Sequence, residues 1–239
     1  MQGPWERFLP ELNRVRASAD ARPFKSIPEM YLAPPLLLHM TAEPFEYPRS
    51  DWPANMKLVG PGLWSPPPSS STPGWMSTEK PIVLVTCSTE FQDDGALIDA
   101  AIGLRDDSSV QLRVHDGGRR SGHGARARGG RGRALRLPRP GDATRERRRA
   151  TGNGDHPASP RVGRPPCVVP WGRDQLEVAR RVVECRAGAM LDRGKLSASR
   201  LRSAVEEARG CAEGAARVRD AFAKAGGAER AAAMLEALL

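Results

Sequence analysis

Between Arg113 and Pro166 the chain carries fifteen arginines, no lysine and only four acids, Asp116, Asp142, Glu146 and Asp155. Glycine and proline are scattered through the same stretch, and no hydrophobic period of 2 or 3.6 is sustained in it. Such a composition buries too little apolar surface to offset the entropy of ordering it. Residues 115–166 are therefore expected to be disordered, and any fold must be assembled from the sequence on either side. The stretch also explains the charge. It contributes +11 to a net +9, so the other 185 residues sum to −2. Arginine at this density implies unspecific, salt-dependent contact with nucleic acid. Positions 113–166 hold no aromatic side chain to stack on a base, however. A non-catalytic basic binding protein is thus the weaker of two functional readings.

The flanks are patterned. Pro10 precedes a short helix expected over Glu11–Ala19, and short strands are expected at Leu36–Leu38 and Met56–Val59, the second ended by Gly60 and Pro61. Positions 65–79, "SPPPSSSTPGWMSTE", have linker composition. Ile82–Val85 is a β-branched run typical of a parallel strand covered on both faces. A helix follows, with Ala96, Leu97, Ala100, Ala101 and Leu104 at helical spacing and Asp93 or Asp94 as its cap; Ser109–Val114 then reads as a strand. Strand, helix, strand is the start of a βαβ unit. Order resumes with a strand at Cys167–Val169. Four helices complete the chain. The first turns Leu176, Ala179, Val182 and Val183 inward. The second is capped by Ser197 and turns Leu201, Ala204, Val205 and Ala208 inward. The third is closed by Gly226 and Gly227, and the last carries Met234, Leu235 and Leu238.

Cys87, Cys167, Cys185 and Cys211 include no C-x-x-C pair, so neither a zinc site nor a redox motif is expected. Cys87 and Cys167 fall in apolar runs, where cysteine acts as a small hydrophobe. A reduced, cytoplasmic protein is the expectation. No apolar stretch approaches the length of a membrane span, and no signal peptide is evident. His39 sits beside an apolar run and reads as structural.

"LHMTAEPFEYPRSDWPANMKLVGPGLWSPP", "PIVLVTCSTEFQDDGALIDAAI", "CVVPWGRDQLEVARRVVECRAG" and "LSASRLRSAVEEA" follow one another in an order and spacing that resemble the nucleotide-sugar-dependent glycosyltransferases of the macrolide and antibiotic type, relatives of the UDP-glycosyltransferases. The resemblance implies the GT-B fold: two doubly wound α/β domains facing across a cleft, the second holding a UDP- or dTDP-sugar, the first a small hydroxylated acceptor and a catalytic histidine. It implies a remnant of the acceptor domain at 1–64, an interdomain linker at 65–79 and the donor domain at 80–239, interrupted at 115–166. The expected fold class is a partial doubly wound parallel sheet. Asp174 and Gln175 match the acid–amide pair that contacts the donor sugar. Ser88, Thr89, Trp171 and Gly172 match loops on the diphosphate side. No metal and no cofactor beyond the donor substrate is implied. The residues alone allow plainer roles: Asp174 as a helix cap, and Ser88 and Thr89 as strand-end turn residues.

The resemblance breaks off between His115 and Pro166. The family's histidine-glycine-glycine block, whose amides hold the phosphates, should precede "CVVP" and does not. Only some 60 residues precede the linker, and none of His39, His115, His123 and His156 matches the catalytic histidine, so no catalytic residue is assigned. The expectation is a shortened and inactive relative. An abrupt switch to arginine, glycine, proline and alanine, then back to family pattern, is what a shifted reading frame yields in a GC-rich gene. Translation of the other two frames over 115–166 checks this: a histidine-glycine-glycine block in one of them is the expected result.

Overall fold

The structure is a computed structural model, and it describes residues 5–62, 80–87, 94–105, 109–115 and 163–239. The linker and nearly all of the arginine-rich stretch lie outside the described residues. After a 3-10 turn at Glu6–Phe8, the elements in chain order are α1 (Leu9–Ser18), α2 (Ile27–Leu32), β1 (Leu37–His39), β2 (Met56–Leu58), β3 (Ile82–Thr86), α3 (Gly95–Ile102), β4 (Gln111–His115), β5 (Cys167–Val168), α4 (Gln175–Glu184), β6 (Ala189–Met190), α5 (Ala198–Arg209), α6 (Ala212–Ala225) and α7 (Gly227–Glu236).

All described strand pairs are parallel. β1 pairs β2, β3 pairs β4 across α3, and β5 pairs β6 across α4. Strand alternation places helices on both faces of the β5 ladder. Cys167 and Val169 face a core built from Val85, Ala101, Leu104, Leu191, Leu201 and Ala204, whereas Val168 faces Ala179, Val182, Val218 and Phe222. Helices α3 and α5 thus pack on one side, α4 and α6 on the other. This is a mixed α/β fold with a partial doubly wound parallel sheet. Ile82–Val85, Ser109–Val114 and Cys167–Val169, which a partial doubly wound sheet would join, fall among the described residues in two ladders, β3 with β4 and β5 with β6.

Several local expectations are corrected. Ile82 and Leu84 are exposed, so β3 is covered on one face and not on both. In α4 the inward positions are Gln175, Ala179 and Val182, while Leu176 and Val183 are exposed. Ala179 and Val182 are inward as expected, and the buried stripe is completed by Gln175 in place of Leu176 and Val183. Leu235 of α7 and Leu238 just beyond its end also face solvent. Ser197 caps α5 as expected, accepting the Arg200 N–H at 3.3 Å. Described structure resumes at Gly163, four residues before β5, with the Pro166 carbonyl accepting from Ala189 N–H at 2.9 Å.

Residues 37–62 are built into the same body. Ala42 and Phe45 belong to the core of α4 and α6, with Phe45 edge-on to Phe222 at 5.7 Å between ring centroids. The Val59 carbonyl accepts from Gly227 N–H at 2.6 Å. Gly60 is required at this crossing: its φ is +77°, and a Cβ there would lie 2.9 Å from the Ala225 Cβ.

All four cysteines are free. Burial pushes the Cys167 thiol up to about 12, with the Glu207 carboxylate adding to the effect. The neutral thiol is the form the fold favours. Its contribution to stability is fully present below the ordinary value of 9.0 and is lost as pH rises from there toward about 12. We expect the stability difference between the parent and Cys167→Ala, read from urea midpoints, to hold constant to about pH 8 and then narrow by up to about 1.4 kcal/mol per pH unit above pH 9. A gap that widens with pH would contradict this assignment.

Candidate functional site

The turn between β5 and α4 lies at the carboxyl end of a parallel ladder, where open α/β sheets bind ligands. It contains four of the six residues singled out in the sequence: Trp171, Gly172, Asp174 and Gln175. Ser88 and Thr89 lie outside the described residues. Trp171 is half-buried and packs against the core that holds Val169 and Leu191. Gly172 is exposed. Arg173 has a φ of +57°, a left-handed conformation uncommon for a residue with a side chain.

Asp174 occupies the N-cap position of α4, yet its carboxylate makes no capping hydrogen bond. The reason is its backbone. Capping requires an extended N-cap residue, and Asp174 has φ −82° and ψ −5°. The carboxylate is instead exposed at the head of the helix. An ionised carboxylate in that position accepts hydrogen bonds from hydroxyl groups.

Gln175 is only 6% exposed. Its Oε1 accepts the Trp171 N–H at 2.7 Å and the Gly172 N–H at 3.4 Å. From the adjoining strand end, the Arg193 guanidinium donates to the Trp171 carbonyl at 3.1 Å. Arg193 stands in a 3-10 turn, Arg193–Lys195, whose start is held by Asp192 Oδ1 accepting the Gly194 N–H at 2.6 Å. The Trp171 residue is therefore gripped at both its N–H and its carbonyl. Sequence reading missed Asp192 and Arg193 because it missed β6: two residues are too few to show a period of two. Asp192-Arg193-Gly194, one residue after Ala189–Met190, is the local signal.

Two turns further along α4, Arg181 Nη1 meets Glu46 Oε2 at 2.6 Å, with the Glu46 side chain only 4% exposed. The second Glu46 oxygen accepts the Tyr47 N–H at 3.2 Å, and His39 Nε2 lies 3.9 Å from the first. His39 also meets the Trp52 ring edge-on at 6.0 Å, in keeping with a structural role. Arg181 lies over the Tyr47 ring at 5.2 Å. Partial desolvation and the Glu177 carboxylate hold the Tyr47 hydroxyl above its ordinary value. This cluster fastens residues 39–47 to the helix whose head carries Asp174.

Among the described residues no group of histidine, cysteine, aspartate and glutamate is placed to hold a metal ion. No described helix is long and apolar enough to cross a membrane.

No family model and no curated protein matches the chain. Solved structures do. The chain is similar to the glycotransferase of kitacinnamycin, with a TM-score of 0.71 and 18% identity over 98% of this chain and 62% of that one. It is similar to the spinosyn rhamnosyltransferase SpnG, with a TM-score of 0.63 and 16% identity over 98% and 64% of the respective chains. It is also similar to the calicheamicin glycosyltransferase CalG4, with a TM-score of 0.62 and 20% identity over 95% and 59%. The chain thus spans about three fifths of the length of each. At these identities the likeness is one of fold: the chain resembles part of the GT-B glycosyltransferase fold.

Proposed function

We propose that the chain is the donor-side unit of a nucleotide-sugar-dependent glycosyltransferase, a protein of the kind that moves a sugar from a UDP- or dTDP-sugar to a small hydroxylated acceptor, and that by itself it transfers no sugar. The observation that carries this reading is the Asp174 carboxylate, exposed at the head of α4 and not engaged in capping, on a turn at the carboxyl end of a parallel ladder. Asp174 accepts from the hydroxyls of the donor sugar, and Gln175, whose amide oxygen is held by the turn, completes the proposed donor-sugar pair. Trp171 and Gly172 line the same turn. Ser88 and Thr89 belong to the diphosphate side of the proposed site.

The absence of transfer follows from what the sequence does not offer the phosphates. Losing one well-placed donor to a developing oxyanion costs roughly 3 kcal/mol, and no histidine-glycine-glycine block precedes β5. The described turn residues 170–175 and 192–195 hold carboxylates, arginines and a lysine, and the sequence offers no match to the family's catalytic histidine, a general base worth about two to four orders of magnitude in rate. We expect calorimetry or NMR titration with UDP-glucose and dTDP-glucose to give a Kd weaker than about 100 µM, roughly −5.5 kcal/mol. Asp174→Ala should weaken it further, and a hydrolysis and transfer assay should read zero. Transfer to any acceptor, or micromolar binding, would overturn the claim of inactivity. Binding indifferent to Asp174→Ala would overturn the site.

A further inference from the structure

We infer that Arg193 is a direct donor contact, giving hydrogen bonds to an anionic oxygen of the donor's diphosphate. The inference rests on the function proposed above and names a partner for the phosphates, for which the sequence offers no histidine-glycine-glycine block before β5. β5 and β6 are neighbours in one parallel ladder, so the turns that leave their carboxyl ends lie side by side. One carries Trp171, Gly172 and Asp174, and the other is the 3-10 turn Arg193–Lys195. Arg193 reaches across from the second to the first: its Nη1 donates to the Trp171 carbonyl at 3.1 Å. The guanidinium is thereby brought to Trp171 and Gly172, the residues read as the diphosphate side of the site.

Its hydrogen-bonding capacity is not used up there. A guanidinium carries several N–H donors in a planar fork, and a single carbonyl occupies one of them. No carboxylate among the described residues pairs with Arg193. The nearest in sequence, Asp192, turns its Oδ1 to its own loop, accepting the Gly194 N–H at 2.6 Å. Arg181 and Arg209, by contrast, are each paired with a carboxylate, Glu46 at 2.6 Å and Glu206 at 2.8 Å. Arg193 is exposed, and Lys195 adds a second exposed cation to the same turn. A planar fork with donors to spare is the geometry that suits phosphate oxygens. The turn that carries it is held: the Lys195 N–H bonds the Asp192 carbonyl at 2.9 Å, and the Asp192 side chain caps the start. A guanidinium already fixed by one bond loses less freedom on binding than a loose one.

NMR titration of the whole chain tests this, with pyrophosphate, UDP and UDP-glucose as probes. The reporters are the backbone amides of residues 171–175 and 192–195, so binding to the arginine-rich stretch is not counted. Arg193→Ala should raise the Kd for UDP and for UDP-glucose by the same factor, about three- to tenfold. Arg193→Lys keeps the charge and loses the fork, so it should fall between Arg193→Ala and the parent. Added salt should weaken UDP binding more in the parent than in Arg193→Ala. Arg193 is exposed, so its truncation opens no cavity, and Arg193→Lys supplies a second, milder reading. A Kd for UDP that is unchanged in Arg193→Ala overturns the inference. A loss confined to UDP-glucose means a sugar contact and also overturns it. Amides that respond to none of the three probes up to about 10 mM, roughly −2.7 kcal/mol, overturn it together with the site. Asp174→Ala without effect on UDP-glucose overturns the proposed sugar contact alone, because the diphosphate contact is read with UDP and pyrophosphate.

Discussion

Arg181→Ala is expected to destabilise the protein by about 3–5 kcal/mol, while Glu46→Ala at the other end of the same ion pair costs much less. The two partners are buried unequally. The Glu46 side chain is 4% exposed and that of Arg181 is 23% exposed. Removing Arg181 leaves a carboxylate in the interior with one backbone N–H, that of Tyr47, and a histidine nitrogen 3.9 Å away. Removing Glu46 instead leaves an arginine that reaches solvent and still has the Glu177 carboxylate at 3.4 Å, so the cost falls to about 1–2 kcal/mol. Net stabilities of folded chains are typically about 5–15 kcal/mol, so the larger figure approaches loss of the fold. Urea unfolding of both variants, followed by tryptophan fluorescence, measures the asymmetry. An apolar pair, Glu46→Leu with Arg181→Met, should recover most of the loss, since replacing a buried ion pair whole is often neutral. Equal losses from the two single variants would mean that burial does not govern this pair.

That ion pair joins residues 135 positions apart, which is why nothing in the sequence announced it. What was legible depended on local pattern. The β-branched run at Ile82–Val85 and the apolar spacing of Leu201, Ala204 and Ala208 became β3 and α5, since a run filling a whole strand or a period repeated over two turns marks the type of element, though not which of its faces is covered. The parallel pairing of β3 with β4 followed from strand, helix, strand order. The six-residue α2 was missed, although its start was written out. Ser26 accepts the Glu29 N–H at 3.2 Å, with Pro28 inside the first turn, as Ser-Ile-Pro-Glu suggests. At the site, the clustering of Trp171, Gly172, Asp174 and Gln175 was legible because they are contiguous. The inward direction of Gln175 was not. It depends on the amide oxygen turning back to accept the Trp171 and Gly172 N–H groups, which no apolar spacing announces.

Gly214→Ala is expected to cost about 3 kcal/mol, even though alanine is the better helix former by about 1 kcal/mol. Gly214 lies in the first turn of α6, where a sequence reading finds only a weak helical residue. In the fold, a Cβ built there would fall far inside van der Waals contact with the Arg186 carbonyl and carbon and within 3.0 Å of the Ala187 nitrogen. These are backbone atoms, so no rotamer change relieves the clash. Their own position is also fixed. Arg186 follows the C-cap of α4 with a φ of +54°, its N–H bonded to Val183 O at 2.9 Å, and Ala187 is fully buried with its N–H on Val182 O at 2.9 Å. The substitution must therefore push α6 away from the end of α4. Val218 and Phe222, further along α6, would lose contact with Val182 and Phe45 in the shared core. The destabilisation should grow with side-chain size, Gly214→Val exceeding Gly214→Ala, because the obstacle is steric and not conformational. Urea midpoints for the two variants, with unchanged slopes, are the check. A Gly214→Ala variant as stable as the parent would show that α6 can slide past residues 186–187 without loss. The close crossing would then not be what holds α6 on α4.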